Sequence, residues 1–137
     1  MEITRYFTRG NESELIENTI AWKTVPVRIE EKGKVILDMP SVEVPEHWSQ
    51  SAAQILAHKY FRRAGVPVRT NIHQLYTHDD AVPDLLKPRV ADVADITGAE
   101  GSAKQVFHRL AGHWAFEGLE AGYFNAVEAR RFYDEIY

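Results

Sequence analysis

Ser102-Ala-Lys-Gln-Val-Phe-His-Arg-Leu-Ala-Gly-His-Trp-Ala-Phe-Glu-Gly-Leu119 carries the most regular pattern in the chain. Ala103, Phe107, Leu110 and Trp114 recur at spacings of four, three and four, the period of one helical face. Ser102-x-x-Gln105 is a capping-box pair at its start, and Gly118 and Gly122 supply its stop. A helix is expected over Ala103 to Leu119. Downstream, Asn125-x-x-Glu128 opens a second helix whose core face is Ala129, Phe132, Tyr133 and Ile136. That pattern still runs at Tyr137 without a Gly, Asn or Pro stop, which suggests a segment of a longer protein.

Upstream, Val25, Val27 and Ile29 alternate with Pro26 and Arg28, the period of a half-buried strand. Glu31-Lys32-Gly33 is a turn, and Val35-Ile36-Leu37 returns, so residues 24–38 read as a hairpin. Pro26 lacks a ladder donor and places its strand at an edge. Residues 40–45 are extended, because Pro45 disfavours helix at Val44. Ala53, Leu56, Ala57 and Tyr60 share one face of a helix expected from Ser49 to Ala64, capped by Ser49 and ended by Gly65 and Pro67. Residues 66–101 are broken by Pro67, Pro83, Pro88, Gly98 and Gly101, with a short helix expected around Asp84–Ala94. Residues 1–22 read as an irregular arm with one short helical stretch near Glu12–Asn18. The fold class expected is mainly α (α+β): a helical domain over 23–137 with a small amino-terminal β-hairpin, preceded by the arm 1–22.

The 137 residues carry 16 basic and 20 acidic side chains, a net charge of −4, which disfavours general affinity for polyanions and argues against nucleic acid as a partner. No cysteine is present, so disulfides, thiolate nucleophiles and cysteine-based metal sites are excluded. The start is not a signal peptide, and no apolar run approaches the ~20 residues needed to cross a bilayer. A cytoplasmic protein without a membrane partner is expected.

Six histidines invite a metal reading: His47, His58, His73, His78, His108 and His113. Zinc helices pair histidines four apart, whereas His108 and His113 are five apart, about 140° around a helix. No metal site is expected. The carboxylates Asp79, Asp80, Asp92, Asp95, Asp134 and Glu135 could do acid–base work if burial split their pKa values, but solvated faces and caps are the favoured reading. Lys59, Arg62, Arg63 and Arg69 could contact phosphate. The favoured alternative is that they complement the dipole of a helix end. Gly98-Ala-Glu-Gly101 alone is weak as a phosphate loop. Gly118-x-x-x-Gly122 is better read as a helix end than as a packing motif, and the aromatics as core or interface residues.

Two long strings add a resemblance. Val42-Glu-Val-Pro-Glu-His-Trp-Ser-Gln50 runs on through Ala52-Ala-Gln-Ile-Leu-Ala-His-Lys-Tyr-Phe-Arg-Arg-Ala-Gly-Val-Pro67. Ser102-Ala-Lys-Gln-Val-Phe-His-Arg-Leu-Ala-Gly112 is followed by Gly122-Tyr-Phe124 and Ala129-Arg-Arg-Phe-Tyr-Asp-Glu135. Both resemble the amino-terminal region of class II, adenosylcobalamin-dependent ribonucleotide reductases, as does the link Val82-Pro-Asp-Leu-Leu86. The resemblance covers about residues 20–137. It implies a leading helical domain that packs on a ten-stranded catalytic barrel, in the same or a separate chain. In that family the barrel holds the thiyl-forming cysteine, the reducing cysteine pair and the substrate, and contributes to the adenosylcobalamin and effector sites. The reaction implied is reduction of ribonucleotides, ribonucleoside diphosphates among them, to 2′-deoxyribonucleotides for DNA synthesis. The family's last helix continues toward an Asn-Ser-Pro segment that this sequence lacks. No catalytic, cofactor-binding or metal-binding residue is carried over, because no cysteine is here. Adenosylcobalamin belongs to the parent enzyme, and this segment scaffolds.

Three readings follow. A reductase domain predicts an exposed apolar face on the 126–137 helix. A free-standing interaction module predicts association with a separately encoded barrel. A small nucleotide-binding regulator would use Arg62, Arg63 and Arg69. A homodimer is open under each.

Overall fold

A computed structural model describes residues 2–11, 14–67 and 97–137. The chain divides into two compact units, with described residues 20–67 and 97–106 in one and 2–11, 14–19 and 107–137 in the other. The short helix expected around Asp84–Ala94 lies outside the described residues, as does the Val82–Leu86 link.

The first unit is built on a hairpin longer than expected: β1 (Trp22–Glu31) pairs antiparallel with β2 (Lys34–Pro45). Lys32 and Gly33 both take positive φ, 50° and 76°, the tight-turn geometry that matches strand twist. Between Val25 and Val27, paired to Val42 and Met39, β2 carries one extra residue opposite Pro26. The bulge falls where proline has no N–H to give. A second bulge separates the Ile29–Leu37 pair from Glu30–Val35. The segment 40–45, expected as extended, is the end of β2.

A two-stranded ribbon alone is marginal in water. Here α1 (Gln50–Ile55) lies against β1, and Gln50 Nε2 donates to the Pro26 carbonyl at 2.7 Å. Ser49 caps α1 as expected, accepting from Ala52 N at 3.2 Å. Val27, Val42, Val44, Ala53, Leu56, Ala57 and Phe61 are buried. Two short strands, β3 (Val66–Pro67) and β4 (Thr97–Gly98), pair beside this core.

The helix after Ser49 does not reach Ala64. α1 passes into a single wider turn, Leu56–Tyr60, closed by Phe61 N donating to the Leu56 carbonyl at 3.2 Å. An i→i−5 turn inserts one residue, so the position expected for Tyr60 on the buried face is taken by Phe61. Tyr60 is 54% exposed and Phe61 6%.

In the second unit, the helix expected first is present as α2 (Ala103–Glu120), whose opening residues Ala103–Val106 belong to the first unit. Gln105 Oε1 accepts from the Ser102 and Gly101 amides at 3.0 and 2.8 Å, the return half of the capping box. The apolar stripe is not the expected one. Ala103, Val106, Ala111 and Ala115 are buried, while Leu110 and Trp114 are 37% and 52% exposed. At Gly118 an added Cβ would collide with the Phe124 ring. Gly122 (φ 74°) ends α2, with Tyr123 N bonded to the Gly118 carbonyl at 2.9 Å and Gly122 N to Leu119 at 3.1 Å.

α3 (Ala126–Ile136) follows with a complete capping box: Asn125 Oδ1 accepts from Glu128 N, and Glu128 Oε2 accepts from Asn125 N. Ala129 and Tyr133 join Ile16, Ala111, Ala115 and Phe124 in one core, flanked by Ile3, Phe116 and Phe132. Tyr137 stands edge-on to Phe107 at 5.5 Å. The arm is ordered over its described residues. Its helical stretch is a 3-10 turn, Ile16–Thr19. With two strands of 10 and 12 residues beside these helices, the architecture is mixed α+β rather than mainly helical.

Candidate functional site

Four cationic residues were expected at a helix end. The structure moves Arg62 and Arg63 off it. The helical turn stops at Tyr60, so only His58 and Lys59 sit in the last turn and can complement its dipole. Arg62 and Arg63 follow outside any helix or strand, both exposed. Arg69 lies outside the described residues.

The backbone under these arginines is held from below. Arg62 N donates to Glu100 Oε2 at 2.8 Å, and Glu100 N donates to the Arg62 carbonyl at 2.9 Å. Glu100 is 1% exposed. Its burial is unexpected from sequence, since a carboxylate between two glycines reads as loop. Only the tertiary approach of the 97–101 segment gives it a role. That role also removes Gly98-Ala-Glu-Gly101 as a phosphate cradle: Gly98 pairs with Val66, and the Gly101 carbonyl accepts from Glu43 N at 2.9 Å. Nearby, Ser102 Oγ donates to Glu43 Oε1 at 2.5 Å, and Lys104 Nζ meets Glu43 Oε2 at 3.1 Å. Lys104 also lies over the Trp22 ring, 4.9 Å from its centroid.

The second unit joins the adjacent carboxylates Asp134 and Glu135 to the arm. Neighbours on a helix point about 100° apart, so one faces inward and the other toward the arm. Arg5 Nη1 donates to Asp134 Oδ2 at 2.7 Å and to Thr8 Oγ1 at 2.9 Å. Burial pushes the Asp134 carboxyl up from its ordinary value; Arg5 and Arg130 oppose this, and Glu135 adds to it. Glu135 goes the other way. Partial burial would raise it, but the Thr8 hydroxyl and the Phe7, Thr8 and Tyr6 amides bind the carboxylate and hold it at about 2. The Thr8 hydroxyl and amide donate at 2.6 and 2.8 Å and the Phe7 amide at 3.0 Å. Arg131 Nη1 reaches the Ile3 carbonyl at 3.3 Å. The pKa split that would suit acid–base work is present, yet each carboxylate is occupied by arm donors. It is an anchor for the chain's own amino terminus.

The histidines do not gather. His108 Nδ1 shares a 2.8 Å hydrogen bond with the buried Tyr133 hydroxyl, and exposed His113 stands 4.0 Å from Glu117. His73 and His78, like Asp79, Asp80, Asp92 and Asp95, lie outside the described residues. Among the described residues no group of three His, Cys, Asp or Glu could hold a metal ion, and no helix is long and apolar enough to cross a membrane.

Residues 23–137 match the family model described as class II vitamin B12-dependent ribonucleotide reductase. The chain belongs to that family. It matches the amino-terminal region of these reductases. A vitamin B12-dependent ribonucleotide reductase of Bradyrhizobium diazoefficiens is 42% identical over 113 residues, covering 76% of this chain and 9% of that protein. Another from Agrobacterium fabrum is 37% identical over 145 residues, covering 99% of this chain and 11% of that protein. The chain thus spans about a tenth of the length of the curated reductases it matches. The two strings that carried the resemblance form α1 with its wide turn, and α2 with α3. Among the described residues no donor set gathers for the reductase family's B12 coenzyme: His108 is engaged by Tyr133, and Asp134, Glu135 and Glu100 by arm or backbone donors. None of them is assigned to holding it.

Proposed function

We propose that this chain is a non-catalytic scaffold of a vitamin B12-dependent ribonucleotide reductase, acting in the cytoplasm beside the barrel that converts ribonucleotides to 2′-deoxyribonucleotides. The family match carries the reading. Ribonucleotide reduction through a sulfur-centred radical needs a thiol to form the radical and a dithiol to supply electrons. The sequence contains no cysteine, so these must come from other polypeptide. Adenosylcobalamin supplies the radical-initiating chemistry in the parent enzyme.

The surface that supports docking is not the one expected. The α3 face is mostly covered: Ala129 and Tyr133 are buried and only Ile136 of that face is exposed, at 45%. Exposed Val127 is nine residues from Ile136, about 180° around the helix, so the two make no common patch. Leu110 and Trp114, four apart on α2, do share an exposed face. An exposed tryptophan beside a leucine is the composition of an interface core.

The test is association of the 137-residue chain with a separately produced remainder of a matching reductase. Binding is expected, with Trp114→Glu weakening it at least tenfold. Equal binding by Trp114→Glu would remove the assigned face. Turnover of ribonucleotides by the chain alone, given B12 coenzyme and dithiol, would overturn the scaffold reading itself.

A further inference from the structure

We propose that Tyr6 and Phe7 form an aromatic knuckle that seats the polypeptide following α3 in the matching reductases. The proposal deepens the scaffold reading and rests on it for the occupant. Phe7 is 81% exposed and Tyr6 64%, with their rings edge to face and the centroids 4.8 Å apart. Single apolar side chains scatter over any protein surface, but two adjoining rings on a fixed backbone form a surface of their own. The Arg9 guanidinium lies 5.1 Å over the Tyr6 ring. Tyrosine, phenylalanine and arginine are the residues enriched where proteins meet. The backbone beneath them is fastened on both sides. Arg5, just before the pair, reaches buried Asp134 at 2.7 Å. Glu135 accepts from the Phe7 and Thr8 amides at 3.0 and 2.8 Å and from the Thr8 hydroxyl at 2.6 Å. The rings are thus held out on a backbone already ordered, which lowers the cost of docking.

Position, length and area select the occupant. The knuckle is tied to the last turn of α3: Glu135 lies two residues before Tyr137, and Tyr137 N still donates to the Tyr133 carbonyl at 2.9 Å. On a continuing helix, side chains three and four residues beyond Glu135 share its face, and that face is turned to the arm. The match is to the amino-terminal region of the reductases and covers 9% and 11% of the two relatives, so in them most of the polypeptide follows this region. Area argues against a second copy of this chain. A tyrosine and a phenylalanine bury about 150–250 Å² each. Two knuckles paired between copies would bury roughly 600–1,000 Å², below the ~1,200 Å² of a specific stable interface. A segment joined to α3 needs no such area, because the connection sets its local concentration.

Extending the 137-residue chain by the roughly 20 residues that follow the match in the Agrobacterium fabrum reductase, about 30 Å if helical, tests the seat. The extension should raise the thermal midpoint, and Phe7→Ala should remove roughly 4–10 °C of that rise, the order expected for burying one phenylalanine in a domain of this size. In the 137-residue chain itself Phe7→Ala should shift the midpoint by under about 2 °C, as for an exposed position. A photoreactive benzoylphenylalanine in place of Phe7 should crosslink into the extension. Equal rises in the parent and Phe7→Ala chains would overturn the proposal. Crosslinks only between copies would overturn the choice of occupant. This comparison needs no separate barrel. A chain whose extension seats on Phe7 but which binds no reductase remainder would sink the scaffold reading alone. A chain that binds the remainder through Trp114, with no effect of Phe7→Ala in the extended form, would sink the seat alone.

Discussion

Replacing Arg5 by methionine asks whether the arm belongs to the fold. The Arg5–Asp134 pair is 2.7 Å long, with side chains 7% and 0% exposed. Removing one member of a pair so deeply buried costs about 3–5 kcal/mol, because the other charge is left in a poor solvent for it. Arg130 also favours the ionised form of Asp134 and compensates part of that charge, so the lower end, about 3 kcal/mol, is expected. For a chain of this size that lowers the thermal midpoint by roughly 9–12 °C at pH 7. The loss must depend on pH. Burial already raises the Asp134 carboxyl above its ordinary 3.8, and without Arg5 it rises further. A carboxyl whose folded pKa is raised contributes stability below its unfolded pKa and loses it as pH climbs through the folded value. Arg5→Met should therefore be least harmful near pH 4 and most harmful at neutral pH. Urea unfolding of both proteins at pH 4, 5.5 and 7 measures this. Converting the pair together, Arg5→Met with Asp134→Leu, should recover to within about 1 kcal/mol of the parent, since apolar replacement removes both desolvation costs. A deficit under 1 kcal/mol at pH 7, or one that does not change with pH, would refute the argument that the arm is held by a buried charge pair.

Glu135→Gln should cost roughly 1–2 kcal/mol at pH 7, discounted because the carboxylate still reaches solvent. That cost should vanish as pH falls from 4.5 toward the folded value of about 2. Faster hydrogen exchange at the Phe7 and Thr8 amides would accompany it, and unchanged exchange would contradict the anchoring. Gly118→Ala drives a Cβ into the Phe124 ring. That ring already packs on Phe132 with centroids 4.9 Å apart. Overpacking of about 1–3 kcal/mol should exceed the ~1 kcal/mol gained from helix propensity, and a stabilised variant in thermal unfolding would argue against the close approach. Lys32→Asn should stabilise by a few tenths of a kcal/mol, because asparagine tolerates the 50° φ better than lysine; a lower urea midpoint would count against the turn assignment.

Local rules made much of the fold readable. The Asn125–Glu128 box, the Ser49 cap, the Lys32-Gly33 turn and the Gly122 stop need only neighbouring residues, and each is where its pattern puts it. What failed needed distant ones. The α2 stripe was read by size, choosing Leu110 and Trp114, whereas the core cluster takes Ala111 and Ala115. The wide turn after Ile55 leaves no mark in the apolar pattern, because Tyr60 and Phe61 are both aromatic and either could face inward. Glu100 and Asp134 look like ordinary surface acids, and the donors that justify burying them, Arg62 N and Arg5, come from 38 and 129 residues away.

Those long-range contacts also decide which surface a partner can reach. From sequence, α3 was the helix left open, since its pattern had no visible cover. The cover is the arm: Ile3 packs on the α3 core, Arg5 reaches Asp134, and residues 7 and 8 saturate Glu135. A helix whose buried face and flanking acids are already met by its own chain has little left to offer a barrel there. On α2, by contrast, alanines take the core positions and leave Leu110 and Trp114 outside. The same substitution of small for large that misled the helix reading thus leaves on the surface the tryptophan that the proposed docking uses. An interface on α2 should survive Arg5→Met, provided the fold persists, whereas an interface on α3 would be altered by it. The two placements can be separated without touching either face.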